Sequence, residues 1–184
     1  MILFDLLTQH RYVRWAPLPL RLIVGLGFME HGFAKLFKGP DAFAAILHAL
    51  GVPMPHLMAW VTILTEIGGG LAVILGGFVV IAAVPMAAVL LVAVFTVHLP
   101  YGFSSIKLIA VTAAGAQFGP PGYECDLLYL ACLATLVMTG PGPLALDELI
   151  GAARHKVDTR SDAQLAPGLA ANARRAGAPS SKAV

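Results

Sequence analysis

The sequence predicts an all-α integral membrane protein: a four-helix transmembrane bundle with interfacial or re-entrant segments in its two outward loops. Three observations predict it. Of 184 residues, 58% are hydrophobic and 12% charged, against about 25% charged in an ordinary soluble domain. Mean hydropathy is +0.82; one core cannot hide so much apolar surface in a chain this short, because small domains leave a large share of their surface wet. The stretch from Leu57 to Val97 carries a single charge, Glu66, over about twice the ~20 residues that one spanning helix needs.

The first span is expected at about 18–37, LPLRLIVGLGFMEHGFAKLF. Glu30, His31 and Lys35 interrupt its apolar run and no small-residue cleavage site follows, so it is expected to be retained rather than removed as a signal. Gly76-Gly77 divides the long apolar stretch into an antiparallel pair of spans, about 57–76 and 79–98. Pro85 falls inside the second of these, where neighbouring helices can satisfy the carbonyl it frees. A shorter fourth span, about 123–139, ends at Gly140-Pro141-Gly142-Pro143, through which no helix continues.

Two longer loops remain. GPDAFAAILHALGVPMPH, after the first span, has room for a short helix at the membrane interface. Residues 99–122 have an apolar centre too short to cross, so an interfacial or re-entrant segment is expected there. Residues 1–150 form the transmembrane domain. Residues 151–184 are a tail rich in Ala, Gly, Ser, Arg and Pro, without aromatics, expected to be disordered.

Charge sets the orientation. Arg11 and Arg14 flank the N-terminus, and Arg154, Lys156 and Arg160 follow the last span. An even number of spans puts both termini on one side, and the positive-inside rule makes that side cytoplasmic. The net charge of +2 forms no basic face for nucleic acid; the expected partner is the lipid bilayer. Cys125 and Cys132 lie ~10 Å apart along one helix, too far to bridge each other, and are expected to be packing residues.

Ionisable residues inside the spans are the functional candidates, since charge at the bilayer centre is costly. Arg21, His31 and Lys35 share an ~80° sector of the first span, expected to face the bundle, while Glu30 faces another helix or a second protomer of a homo-oligomer. Glu66 lies near mid-membrane in the second span, on the face of Thr62 and Gly70, and Gly68-Gly69-Gly70 permits close helix approach. His98 ends the third span and Glu124 opens the fourth. With the loops outward, His31, Lys35, Glu66, His98 and Glu124 are expected to converge near the outer mouth of one bundle.

These side chains suit proton-coupled chemistry. Glu66, His31 and His98 are the candidates for taking up and releasing protons, as quinone reduction or quinol oxidation requires. Arg21, Lys35 and Glu124 are the candidates for binding. The same residue types can ligate metal, but no H-x-x-x-H, E-x-x-H or C-x-x-C spacing occurs, so no metal site is expected. No nucleotide-binding or nucleophile motif occurs either. Structural alternatives stand beside each role: Arg21 and Lys35 snorkelling to headgroups, Lys35 and Glu66 as a helix-pairing ion pair, His98 and Glu124 wet at loop boundaries.

RLIVGLGFMEHGFAKL, TEIGGGLAVILG and the closing GPGPLALDELI carry a family resemblance. The chain resembles the DoxX family of small bacterial membrane proteins through Arg21, His31-Gly32, Lys35-Leu36, Glu66, Gly69-Gly70, Gly76, Gly140-Pro141-Gly142 and Asp147. These occur in order over about residues 17–150. FTVHLPYGFSSIKL and GPPGYE look like one proteobacterial branch. The resemblance implies four membrane helices in the bacterial inner membrane. It also implies an association with redox work: some relatives are subunits of a thiosulfate:quinone oxidoreductase, and others are linked to thiol and oxidative stress or quinone detoxification. Neither cysteine sits in a redox motif, so thiosulfate chemistry is not indicated by these residues.

Three functional classes follow. The first is a quinone-interacting subunit whose soluble oxidoreductase partner carries the electron-transfer cofactor. The second is a non-catalytic membrane scaffold or assembly factor whose buried charges orient helices. The third is a small transporter or proton path, for which four spans are few.

Overall fold

The computed structural model describes residues 10–151, with side chains from Tyr12 onward. Apart from Gly151, the tail expected to be disordered lies outside the described residues, as do Arg154, Lys156, Arg160 and the side chain of Arg11. The chain divides into two units, Met1–Leu146 and Asp147–Val184; the second is described only over residues 147–151, which are helical.

Among the described residues, the first unit holds a single helical turn at His10–Val13, five longer helices and one β-hairpin. Helix α1 spans Pro17–Lys38, α2 Pro40–Ala49 and α3 Pro55–Leu75. Each opens with proline in its first turn, where the missing N–H would have no partner and the fixed φ suits a helix start. Helix α3 stops at Gly76, whose φ of +66° reverses the chain into α4, Val79–Ala93. Helix α4 runs on through a π turn, Val94–His98, and a 3-10 turn, Leu99–Tyr101. Helix α5 is Glu124–Thr139. Two stretches, Pro55–Leu75 and Val79–Tyr101, are long and apolar enough to cross a membrane.

The helices pack around Val24, Phe28, Val73, Met86 and Leu136. The α1–α3 interface is the most extensive, and its closeness depends on two glycines. A Cβ on Gly25 would lie 2.6 Å from the Gly70 carbonyl oxygen, and one on Gly70 would lie 2.6 Å from the Gly25 carbonyl oxygen. Backbone meets backbone at this crossing, as small residues allow in helix pairs. The outer surface is apolar on every long helix: Ile23 and Leu26, Leu64 and Leu71, Ile81 and Val84, Leu128 and Met138 are all exposed. So wide an apolar surface is foreign to a soluble monomer.

One expectation is corrected. The chain is not all-α, because the loop between α4 and α5 holds an antiparallel hairpin, β1 Leu108–Thr112 with β2 Gly115–Phe118. The turn reaches Gly115 at φ +116°, and Ile109, Val111 and Thr112 are β-branched residues that favour extended backbone. A short apolar run is ambiguous between helix and strand by composition. A two-stranded ribbon leaves its outer edges unpaired, which bars it from lipid-exposed hydrocarbon and disfavours re-entry.

The earlier loop does contain a helix. Ala44 and Leu47 of α2 pack on Ala59 of α3, so α2 is tied to the bundle rather than resting free at its edge.

Candidate functional site

An apolar cavity of about 500 Å³ opens between α2, α3 and α4. Phe43 and Leu47 of α2, Met58 of α3 and Val89 of α4 are among its walls. Polar groups enter at few points: Lys35, Glu66 and His98, with Thr62, Thr65 and Thr96. This volume lies within the ~300–1,000 Å³ of small-molecule sites, which pair apolar walls with a few placed polar groups.

The charged groups are held in place by specific contacts. Lys35, one turn from the end of α1, sends its ammonium across to Glu66, 2.5 Å and 2.6 Å from the two carboxylate oxygens. Glu66 is 4% exposed, and Gly32 of α1 sits against its Cβ, so the glycine admits the acid to the interface. The Lys35 ammonium also lies 5.3 Å from the centre of the Phe43 ring, within cation–π range. One cation thus joins α1, α3 and α2.

His98 closes the π turn at the end of α4. A π turn inserts a residue into the helix and so resets the face on which the next side chains emerge; such turns are frequent at functional sites. Nδ1 of His98 lies 3.1 Å from the Pro121 carbonyl oxygen. Nε2 lies 3.9 Å from Oδ2 of Asp126 on α5.

The structure brings Lys35, Glu66 and His98 to one cavity, and separates Arg21, His31 and Glu124 from it. Arg21 is at the far end of α1, 2% exposed. Its guanidinium donates to the carbonyls of Val73 and Ile74, at the end of α3, and of Pro141 and Pro143. Carbonyls at a helix end are short of intrahelical donors, and although the Val73 oxygen also accepts the Gly76 N–H, a planar five-donor fork suits such a cluster. Glu124 fastens the stem of the hairpin: its Oε2 accepts the Ser105 N–H at 3.0 Å.

His31 departs from the inward orientation expected for its stripe. It is exposed, because it lies at the rim of the sector, ~60° around the helix from buried Phe28. Glu30 is exposed as well.

Asp126, buried beside His98, is the acid that the sequence did not single out. Its signal was present: Asp126 shares a helix face with Leu130 and Leu133, whereas Glu124 lies ~160° away around the same helix. An acid in register with a leucine stripe is carried inward with it.

Comparison with known proteins agrees with the earlier resemblance. A family model described as DoxX matches residues 16–99, the segment that holds Arg21, His31, Lys35, Glu66 and His98. A protein of Bacillus subtilis (strain 168) named "Putative oxidoreductase CatD" is 32% identical over 131 residues, covering 71% of this chain and 84% of that protein. The chain belongs to the DoxX family. DoxX proteins are membrane proteins, which accords with the two membrane-length helices and the apolar outer surface. Asp126 and the hairpin lie beyond the segment matched by the DoxX model. No solved structure matches the chain.

Proposed function

We propose that this DoxX protein is a four-span inner-membrane subunit that binds a quinone in the α2–α3–α4 cavity and serves a membrane oxidoreductase system. The cavity carries the proposal: apolar walls suited to a ring and isoprenoid tail, with the Lys35 ammonium and the His98 imidazole as donors to quinone oxygens. Apolar residues exposed on α1, α3, α4 and α5 support four spanning helices. The basic termini support a cytoplasmic location for both ends. The name of the Bacillus relative, an oxidoreductase, supports redox work. Electrons come from a soluble oxidoreductase partner that carries the redox cofactor, and the chain here holds the quinone and handles its protons.

The test is quinone titration of the purified protein in nanodiscs. Wild type binds saturably, and His98→Ala and Glu66→Gln each weaken binding by about tenfold, the order of one hydrogen bond involving a charged group. Unaltered affinity in both variants overturns the proposal.

A scaffold role is the second proposal, favoured by Arg21, whose buried charge is spent on holding the end of α3 to the 141–143 loop. If Lys35 and Glu66 do only the same for α1 and α3, replacing both with apolar residues restores stability and changes no ligand binding.

A further inference from the structure

His98 is hydrogen-bonded at one ring nitrogen, Nδ1, and faces a carboxylate with the other, Nε2. The Pro121 carbonyl oxygen only accepts hydrogen bonds, so at 3.1 Å it requires hydrogen on Nδ1. This leaves Nε2 as the nitrogen that gains and loses a proton, and Nε2 is turned toward the Asp126 carboxylate at 3.9 Å. A bare ring nitrogen facing a bare carboxylate sets two electron-rich atoms against each other. A proton between them removes the conflict, and the second partner of an imidazole commonly sets its tautomer in this way.

We propose that Asp126 is a positioning residue that keeps a proton at Nε2 of His98, making this imidazole the proton-exchanging donor of the cavity. The fitting ligand class is one whose ring oxygen alternates between carbonyl and hydroxyl, because Nε2 then donates to the one form and accepts from the other. The proposal deepens the quinone reading and rests on it for the ligand, but not for the state of His98. Other ionisable groups at this end have their own places: Lys35 and Glu66 bind each other, Glu124 holds Ser105, and His31 is exposed. The gap of 3.9 Å exceeds a hydrogen bond, so a ligand oxygen can compete for the same proton.

The experiment is nitrogen NMR of histidine-labelled full-length protein in nanodiscs, without and with added ubiquinone. Without quinone, wild-type His98 is expected to show a protonated Nδ1 and an Nε2 signal displaced from that of a free, unprotonated ring nitrogen. Asp126→Ala returns Nε2 to the free position, and Asp126→Glu keeps it displaced. A role in packing alone would leave the signal unmoved. With ubiquinone, the wild-type Nε2 signal shifts again, and Asp126→Ala binds the quinone about tenfold more weakly.

Wild-type His98 carrying its hydrogen on Nε2 with a bare Nδ1 overturns the proposal without any variant, as does an Nε2 signal that ignores Asp126→Ala. A displaced Nε2 signal that depends on Asp126 but ignores ubiquinone keeps the positioning role and overturns the quinone assignment.

Discussion

Lys35 and Glu66 meet as a two-pronged ion pair, with both carboxylate oxygens within 2.6 Å of the ammonium, at the wall of a mainly apolar cavity. The pair binds α1 to α3 and presents a cation to whatever fills the space beside it. Removing one member leaves the other uncompensated in a desolvated place. Lys35→Met and Glu66→Leu are each expected to destabilise the protein by about 3 kcal/mol, and the double variant to recover most of that loss. Denaturant unfolding in micelles reads the cycle. If the recovered double variant binds quinone as wild type does, the pair is structural only.

Arg21 spans a different junction. Its fork holds carbonyls from the end of α3 and from the loop that follows α5, and a single ammonium cannot reach them in the same pattern. Arg21→Lys is therefore expected to lower stability by about 2 kcal/mol, seen as a reduced thermal midpoint. An unchanged midpoint would show that the guanidinium geometry is dispensable.

Gly68 and Gly70 are close in sequence and opposite in consequence. A Cβ on Gly68 meets nothing within 4 Å, whereas one on Gly70 runs into the Gly25 carbonyl. Gly68→Ala is expected to be neutral or to stabilise by up to about 1 kcal/mol through helix propensity. Gly70→Ala is expected to destabilise by about 2 kcal/mol, because backbone cannot yield as a side chain does. The two unfolding curves, measured together, check the α1–α3 crossing.

Glu124 orders the hairpin stem through the Ser105 N–H, and Gly122, Tyr123 and Glu124 donate to the carbonyls of Ser104, Gly102 and Phe103. Glu124→Ala is expected to speed hydrogen exchange at the Ser105 amide by about tenfold, equivalent to about 1.4 kcal/mol of local protection. Unchanged exchange would mean that the backbone bonds alone hold the stem.

The long helices were legible in the sequence because their signals are simple. Unbroken apolar runs bounded by glycine and proline placed α3, α4 and α5 within one or two residues of their ends, apart from the π turn that finishes the α4 path. The Lys35–Glu66 contact followed from two charges that must be neutralised in the same apolar setting. Three features were hidden for physical reasons. The hairpin at 108–118 has a composition that helix and strand share. Asp126 was masked by its neighbour Glu124, since the choice between two acids depends on helix phase rather than residue type. The cavity depends on α2 folding back over α3, a tertiary packing that no local periodicity records.

Photolabelling with an azido-quinone in nanodiscs asks whether a quinone occupies the cavity. Mapped by mass spectrometry, the label is expected on Met58, Thr62 and Val89, and Val89→Trp, which fills the cavity, is expected to abolish it. Label confined to outward-facing residues such as Leu64 and Val84, or label at Met58 and Thr62 that survives Val89→Trp, would contradict the claim.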